Sequence, residues 1–153
     1  MKKHQFVLIV LACCAFAQMT KAQADTALAG ATAKLNHYDA LYILNSGDEN
    51  KIQATLRFIS NALSDRRLKG KLHIELIAYA GGVDIYKKSN KYEQQLKELY
   101  DQGVTLAECN NTMKMMNLSR DELFPFVIYV PSGNGEVILR HFDGWAILQP
   151  TAL

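Results

Sequence analysis

Residues 103–112 read GVTLAECNNT, and this stretch decides the fold. Gly103 closes a polar run of helical character. Val104 to Cys109 then reads as a strand, a short apolar run with a β-branched start. Asn110, Asn111 and Thr112 are good helix-starting residues ahead of Met113 to Met116. Cys109 is therefore expected at the carboxyl end of a strand, beside the free N–H groups of a helix. An open α/β sheet places its ligand site there, and those N–H groups stabilise a thiolate. Two readings stand side by side, a reactive or ligand-holding thiol and a structural one. The polar residues that follow favour an exposed turn over an apolar core.

Outward from this stretch the pattern repeats. Asp39 to Asn45 (DALYILN), Leu72 to Ala80 (LHIELIAYA) and Phe126 to Val130 (FVIYV) are apolar runs suited to strands covered on both faces. Ile52, Leu56, Ile59 and Leu63 recur at helical spacing from Lys51 to Ser64, with Gly70 as the stop after Arg66 to Lys71. Val83 to Tyr86 suits one short helical turn after Gly81-Gly82. Lys91 to Gln102 suits a longer helix, with Tyr92, Leu96, Leu99 and Tyr100 on one stripe. Ser119 with Glu122 makes a capping box for a helix to Leu123. Glu136 to Phe142 fits a short helix or an edge strand, Gly144 breaks it, and Trp145 to Leu148 is a last strand. Strands separated by helical stretches of this length imply parallel pairing. The expected product is a three-layer α/β domain with a mostly parallel sheet of about five strands.

Residues 1–24 are set apart from that domain. Lys2 and Lys3, the apolar run Phe6 to Ala17, and Ala22-Gln23-Ala24 before Asp25 form the pattern of a cleaved export signal. The apolar run is too short for a comfortable membrane span. Cys13 allows a lipoprotein alternative, weakened by the large Leu11, and a cut after Ala17 is a further option. Cleavage near Ala24 implies a periplasmic or secreted chain with no membrane span, a loose arm over 25–37 and one domain over 38–150.

Processing changes two counts. The full chain carries 17 Lys and Arg against 15 Asp and Glu, and loss of Lys2, Lys3 and Lys21 leaves 14 against 15. The basic balance thus belongs to the signal, and nothing points to nucleic acid. Cys13 and Cys14 also leave, so Cys109 becomes the only cysteine and no internal disulfide can form.

A lone thiol excludes a dithiol redox site of the thioredoxin kind. His37, His73 and His141 show no ligand spacing with it, so no metal is expected. His141, near the end of a late element, is the histidine with the best chance of approaching the sheet's carboxyl edge. Gly81 and Gly82 would let backbone approach a ligand, or simply make a tight turn. Ser46-Gly47-Asp48-Glu49 lacks the glycines and hydroxyls of a phosphate cradle. There is no dinucleotide loop and no Walker sequence, and no cofactor is expected.

Gly103-Val104 heading a strand that ends in Cys109, followed by Asn111-Thr112, resembles the DsrE/DsrF-like family. Ala78-Tyr79-Ala80-Gly81-Gly82, Val130-Pro131-Ser132-Gly133 and Gly144-Trp145-Ala146-Ile147 extend the resemblance over nearly all of 38–150. It implies a flavodoxin-like or Rossmann-like domain, a homo-oligomer that is often a trimer or hexamer, and a helix over Glu136 to Phe142. It also implies that Cys109 accepts and donates sulfur as a persulfide, from a small sulfur species or a thiol partner protein. Asn110, Asn111, Thr112, Gly81, Gly82 and His141 are the expected lining residues. Two departures stand against a full transfer: the export signal, and Asn-Asn-Thr where relay subunits tend to carry small residues and glycine. The alternative expectation is a non-enzymatic oligomeric binding or assembly module with a structural cysteine.

Overall fold

The computed structural model describes residues 30–151. The chain divides between Ala33 and Lys34, and the fold is that of residues 34–151. The expected export signal at 1–24 and the first part of the expected arm lie outside the described residues.

Five strands, β1 (Tyr38–Leu44), β2 (Leu72–Ala78), β3 (Thr105–Cys109), β4 (Ile128–Val130) and β5 (Ala146–Leu148), form one sheet in the order β4-β3-β2-β1-β5. Every pairing in it is parallel. The helices are α1 (Glu49–Ser64), α2 (Glu93–Asp101), α3 (Asn110–Met115) and α4 (Gly133–Phe142). Two 3-10 segments, Ala80–Tyr86 and Arg120–Glu122, complete the regular structure of the described residues. This is an α/β fold consistent with a flavodoxin-like domain.

Local chemistry explains the helix ends. Asp48 caps α1 by accepting from Lys51 N–H at 2.9 Å. Gly70, Gly103 and Gly144 take positive φ at the stops after helical segments. The expected capping box at Ser119 is formed, with Glu122 Oε1 accepting from Ser119 N–H at 2.7 Å, but it starts a 3-10 turn and no longer helix. Phe126 and Val127 precede β4 without pairing, so that strand is shorter than its apolar run. The ambiguous stretch at 136–142 is helical and begins three residues earlier, capped by Ser132 Oγ accepting from Gly135 N–H at 3.3 Å.

Strand alternation splits the core in two. The larger cluster takes Tyr42, Ile74, Leu76 and Leu106 from the sheet, Ile52, Leu56 and Ile59 from α1, and Leu96 and Leu99 from α2. The opposite face carries Leu41, Ile43, Ile77, Ala107 and Val130, and among the described helices only α4 packs on it, through Val137, with Trp145 and Tyr79 beside it. One side of the sheet is thickly covered and the other thinly.

Candidate functional site at the carboxyl edge

Parallel register brings three strand ends level. Ala78 pairs with Glu108, Glu108 with Tyr129, and Cys109 with Val130. The segments that leave these ends, Tyr79-Ala80, α3 and Ser132-Gly133, therefore meet at one place. They enclose an open cavity of about 250 Å³ walled by Tyr79, Ala80, Cys109, Asn111, Thr112, Met115, Ser132, Gly133 and Asn134.

Cys109 lies on the face that α4 covers, at the cavity wall. It is only 5% exposed, against the exposed turn expected from its polar neighbours. The reason is that the start of α4 folds back over the strand end, a contact no local pattern announces. Burial by itself pushes the thiol up. The N–H groups of Thr112 and Gly133, the Thr112 hydroxyl and the Asn111 N–H outweigh burial, and the thiol lies below its ordinary value. Thr112 is placed for this. Its Oγ1 accepts from Ala80 N–H at 2.9 Å, which leaves the hydroxyl proton free for the sulfur. Ala80 holds that N–H in position with φ of 49°, an unusual conformation for a residue with a side chain.

The other junction residues are tightly fitted. A Cβ on Gly133 would lie 2.7 Å from Tyr79 Cδ1, so the start of α4 sits flat against that ring. A Cβ on Gly82 would overlap the Leu44 carbonyl oxygen, and one on Gly81 would come within 2.9 Å of Gly47 N. Gly81 and Gly82 thus permit chain to approach chain at the ends of β1 and β2, and neither is in the cavity wall.

Of the remaining residues singled out from sequence, Asn111 and Thr112 line the cavity, while Asn110 opens α3 outside its wall. His141 is not brought to it. Helix α4 returns from the carboxyl edge, and His141 sits exposed at its far end with its ring 5.5 Å from that of Phe142. His37 and His73 both bind Asp39 Oδ1, at 2.8 and 3.2 Å, at the amino-terminal ends of β1 and β2 and so away from Cys109 at the carboxyl end of β3. Among the described residues no group of three His, Cys, Asp or Glu could hold a metal ion. Ser132, Gly133, Asn134, Tyr79, Ala80 and Met115 are the wall residues not among the lining residues expected from sequence. The serine-glycine turn before an ambiguous helix was the signal available for the first three.

Glu108, next to Cys109 in the chain, points to the other face. It is fully buried, neither carboxylate oxygen has a hydrogen-bond partner, and burial followed by the nearby Cys109 charge pushes its carboxyl up to about 9. At neutral pH it is an uncharged acid and does not oppose an anionic sulfur.

A parallel five-stranded α/β domain with a cysteine held at the end of β3 by two helix starts defines the class. The chain belongs to the DsrE/DsrF-like family, which matches residues 15–150. Among solved structures, the protein of unknown function MTH1491 from Methanobacterium thermoautotrophicum is similar, at 28% identity and a TM-score of 0.70. That match covers 74% of this chain and 99% of the other. A conserved protein of unknown function from Bacteroides thetaiotaomicron, BT1422, is 15% identical with a TM-score of 0.58, covering 79% of this chain and all of its own, and it bears on fold alone. No curated protein matches the chain.

Proposed function

We propose that this is an exported, homo-oligomeric member of its family that carries a small sulfur species as a persulfide on Cys109. The observation that carries the reading is the convergence of the Thr112, Gly133 and Asn111 N–H groups and the Thr112 hydroxyl on a thiol at the wall of an open cavity. In the loading step the Cys109 thiolate attacks the outer sulfur of a hydropersulfide donor, R–S–S–H. A bond forms between Cys109 Sγ and that sulfur, the donor's own S–S bond breaks, and the thiolate R–S⁻ leaves. Transfer to an acceptor thiolate repeats the exchange with Cys109 as the leaving group. The donated N–H groups favour Cys109 as a thiolate, which suits it both as nucleophile and as leaving group.

Export rests on the sequence of residues 1–24. No helix among the described residues is long and apolar enough to cross a membrane. Oligomerisation has its own support: Ile138, Leu139 and Phe142 on α4 are 57%, 64% and 83% exposed, and Ile128 on the edge strand β4 is 49% exposed. Apolar side chains gathered on the thinly covered side suit burial by further copies, with a trimer or hexamer as the expected assembly.

The test is incubation of the folded protein with cysteine hydropersulfide, followed by mass analysis before and after a thiol reductant. Gain of one sulfur on Cys109, removed by the reductant and absent from Cys109→Ser, is the expected result. No uptake, together with slow alkylation near neutral pH, would overturn it. The near-complete burial of Cys109 favours the second reading in that event, an oligomeric module in which the cysteine is structural.

A further inference from the structure

Helix α4 is held to the sheet by little apolar contact. Gly133 is its only fully buried residue, Val137 is partly buried, and Ile138, Leu139, His141 and Phe142 face outward. Its strongest tie is ionic. Arg140 Nη2 lies 2.7 Å from Oε2 of Glu75, a fully buried residue in the middle of β2. The guanidinium is itself confined: its Cζ sits 4.2 Å from the centre of the Trp145 ring, and its Nε lies 2.8 Å from Glu136 Oε1 one turn back on α4. Trp145 is held in turn, edge to face with His73 at 5.1 Å.

The buried end of this chain of contacts has no substitute. Arg140 is the only charged partner of Glu75 among the described residues, and neither Glu75 oxygen has an aligned hydrogen bond. Breaking a buried pair from one side strands the other charge. The position of Arg140 along the sheet is therefore strictly specified. Seven residues earlier on the same helix stands Gly133, about 10 Å away at the rise of an α-helix. Gly133 sits against Tyr79 in the wall that holds Cys109.

We propose that the Glu75–Arg140 pair is the anchor that sets where the start of α4 lies over Cys109, so that both are positioning residues for the thiol. The proposal rests on the reading of Cys109 as a reactive thiol. Neither residue touches the cavity. They act through the rigid helix between them and Gly133, whose N–H is one of the groups aimed at the sulfur.

The experiment follows the rate of Cys109 alkylation by iodoacetamide against pH in the full chain, with folding checked by circular dichroism. In Glu75→Gln the thiol pKa is expected to rise toward its ordinary value, and the rate at pH 7 to fall roughly three- to tenfold. Arg140→Lys, which keeps the charge but not the fork, is expected to lie between Glu75→Gln and the unaltered protein. His141→Gln, an exposed position on the same helix outside these contacts, is expected to match the unaltered protein. The double variant Glu75→Met/Arg140→Met covers the case in which Glu75→Gln does not fold, because it removes both charges without stranding either. It is expected to shift the profile in the same direction. An unchanged profile in either folded variant overturns the anchor. An ordinary thiol profile in the unaltered protein instead overturns the reactive-thiol reading on which the anchor depends.

Discussion

Glu108 and Cys109 are consecutive residues of β3 whose side chains lie on opposite faces of the sheet, the acid in the larger core and the thiol under α4. The alternation of a strand is what allows an anionic sulfur and a buried carboxyl to be chain neighbours. It does so only while the carboxyl keeps its proton.

That requirement gives a pH dependence of stability. The folded carboxyl is raised to about 9, so between its ordinary value and about 9 the folded state holds a proton that the unfolded state has released. Stability is then lost as pH rises, by about 1.4 kcal/mol per pH unit from this group. Glu108→Gln keeps the shape and cannot ionise. Its stability in urea, relative to the unaltered protein, is expected to increase steadily from pH 5 to pH 8. Parallel curves for the two proteins would show that Glu108 is not held protonated.

Thr112 is expected to separate fold from reactivity. Thr112→Val removes the oxygen that accepts from Ala80 N–H and the proton available to Sγ. A loss of about 1–2 kcal/mol in unfolding free energy is expected from the orphaned N–H, with slower alkylation of Cys109 at pH 7. Thr112→Ser should restore both. If valine leaves the alkylation profile untouched, the hydroxyl plays no part in holding the thiolate.

Two glycines offer a contrast in cause. A methyl group on Gly82 meets the Leu44 carbonyl, which is backbone and cannot yield cheaply, whereas one on Gly70 meets nothing within 4 Å. Gly82→Ala is expected to cost about 3 kcal/mol or more, or to abolish soluble expression. Gly70→Ala suffers only its φ of 72° and is expected to cost about 1 kcal/mol. Similar losses in thermal melts of the two would contradict the close approach at the ends of β1 and β2.

The exposed side chains of α4 make the assembly testable. Phe142→Glu and Ile138→Glu alter outward-facing positions and are expected to leave the monomer fold intact, since surface changes seldom exceed about 0.5 kcal/mol. Light scattering after size exclusion should show a smaller assembly than for the unaltered protein. An unchanged mass for both would place the subunit contact on another surface.

The sheet was readable from the sequence because its strands are short apolar runs bounded by turn residues, and each of the five expected strands forms. Where the reading slipped, tertiary contact was the cause. Phe126 and Val127 look like strand but pack before β4 begins, and Val127 belongs to the larger core. Cys109 looked exposed because its local neighbours are polar, yet Gly133, distant in sequence, covers it. His141 drew notice as a histidine in a late element, and only the course of α4 shows that it travels away from the cavity. Glu75 and Glu108 were invisible as buried acids, because an acid in a strand is ordinarily read as an outward-facing position and both faces of these strands are covered.

The uneven covering of the sheet has a consequence for how the thiol site comes apart. Its strand end and α3 belong to elements backed by the larger core, whereas Gly133 belongs to a helix with little buried surface. Local opening free energies follow buried contact, so amide exchange in α4 should be faster than in β2 and β3. One of the thiol's four hydrogen-bond donors, the Gly133 N–H, would then detach in a fluctuation that leaves the sheet folded. Cys109 could be nearly sealed on average and still meet a large partner, with the access rate set by one helix.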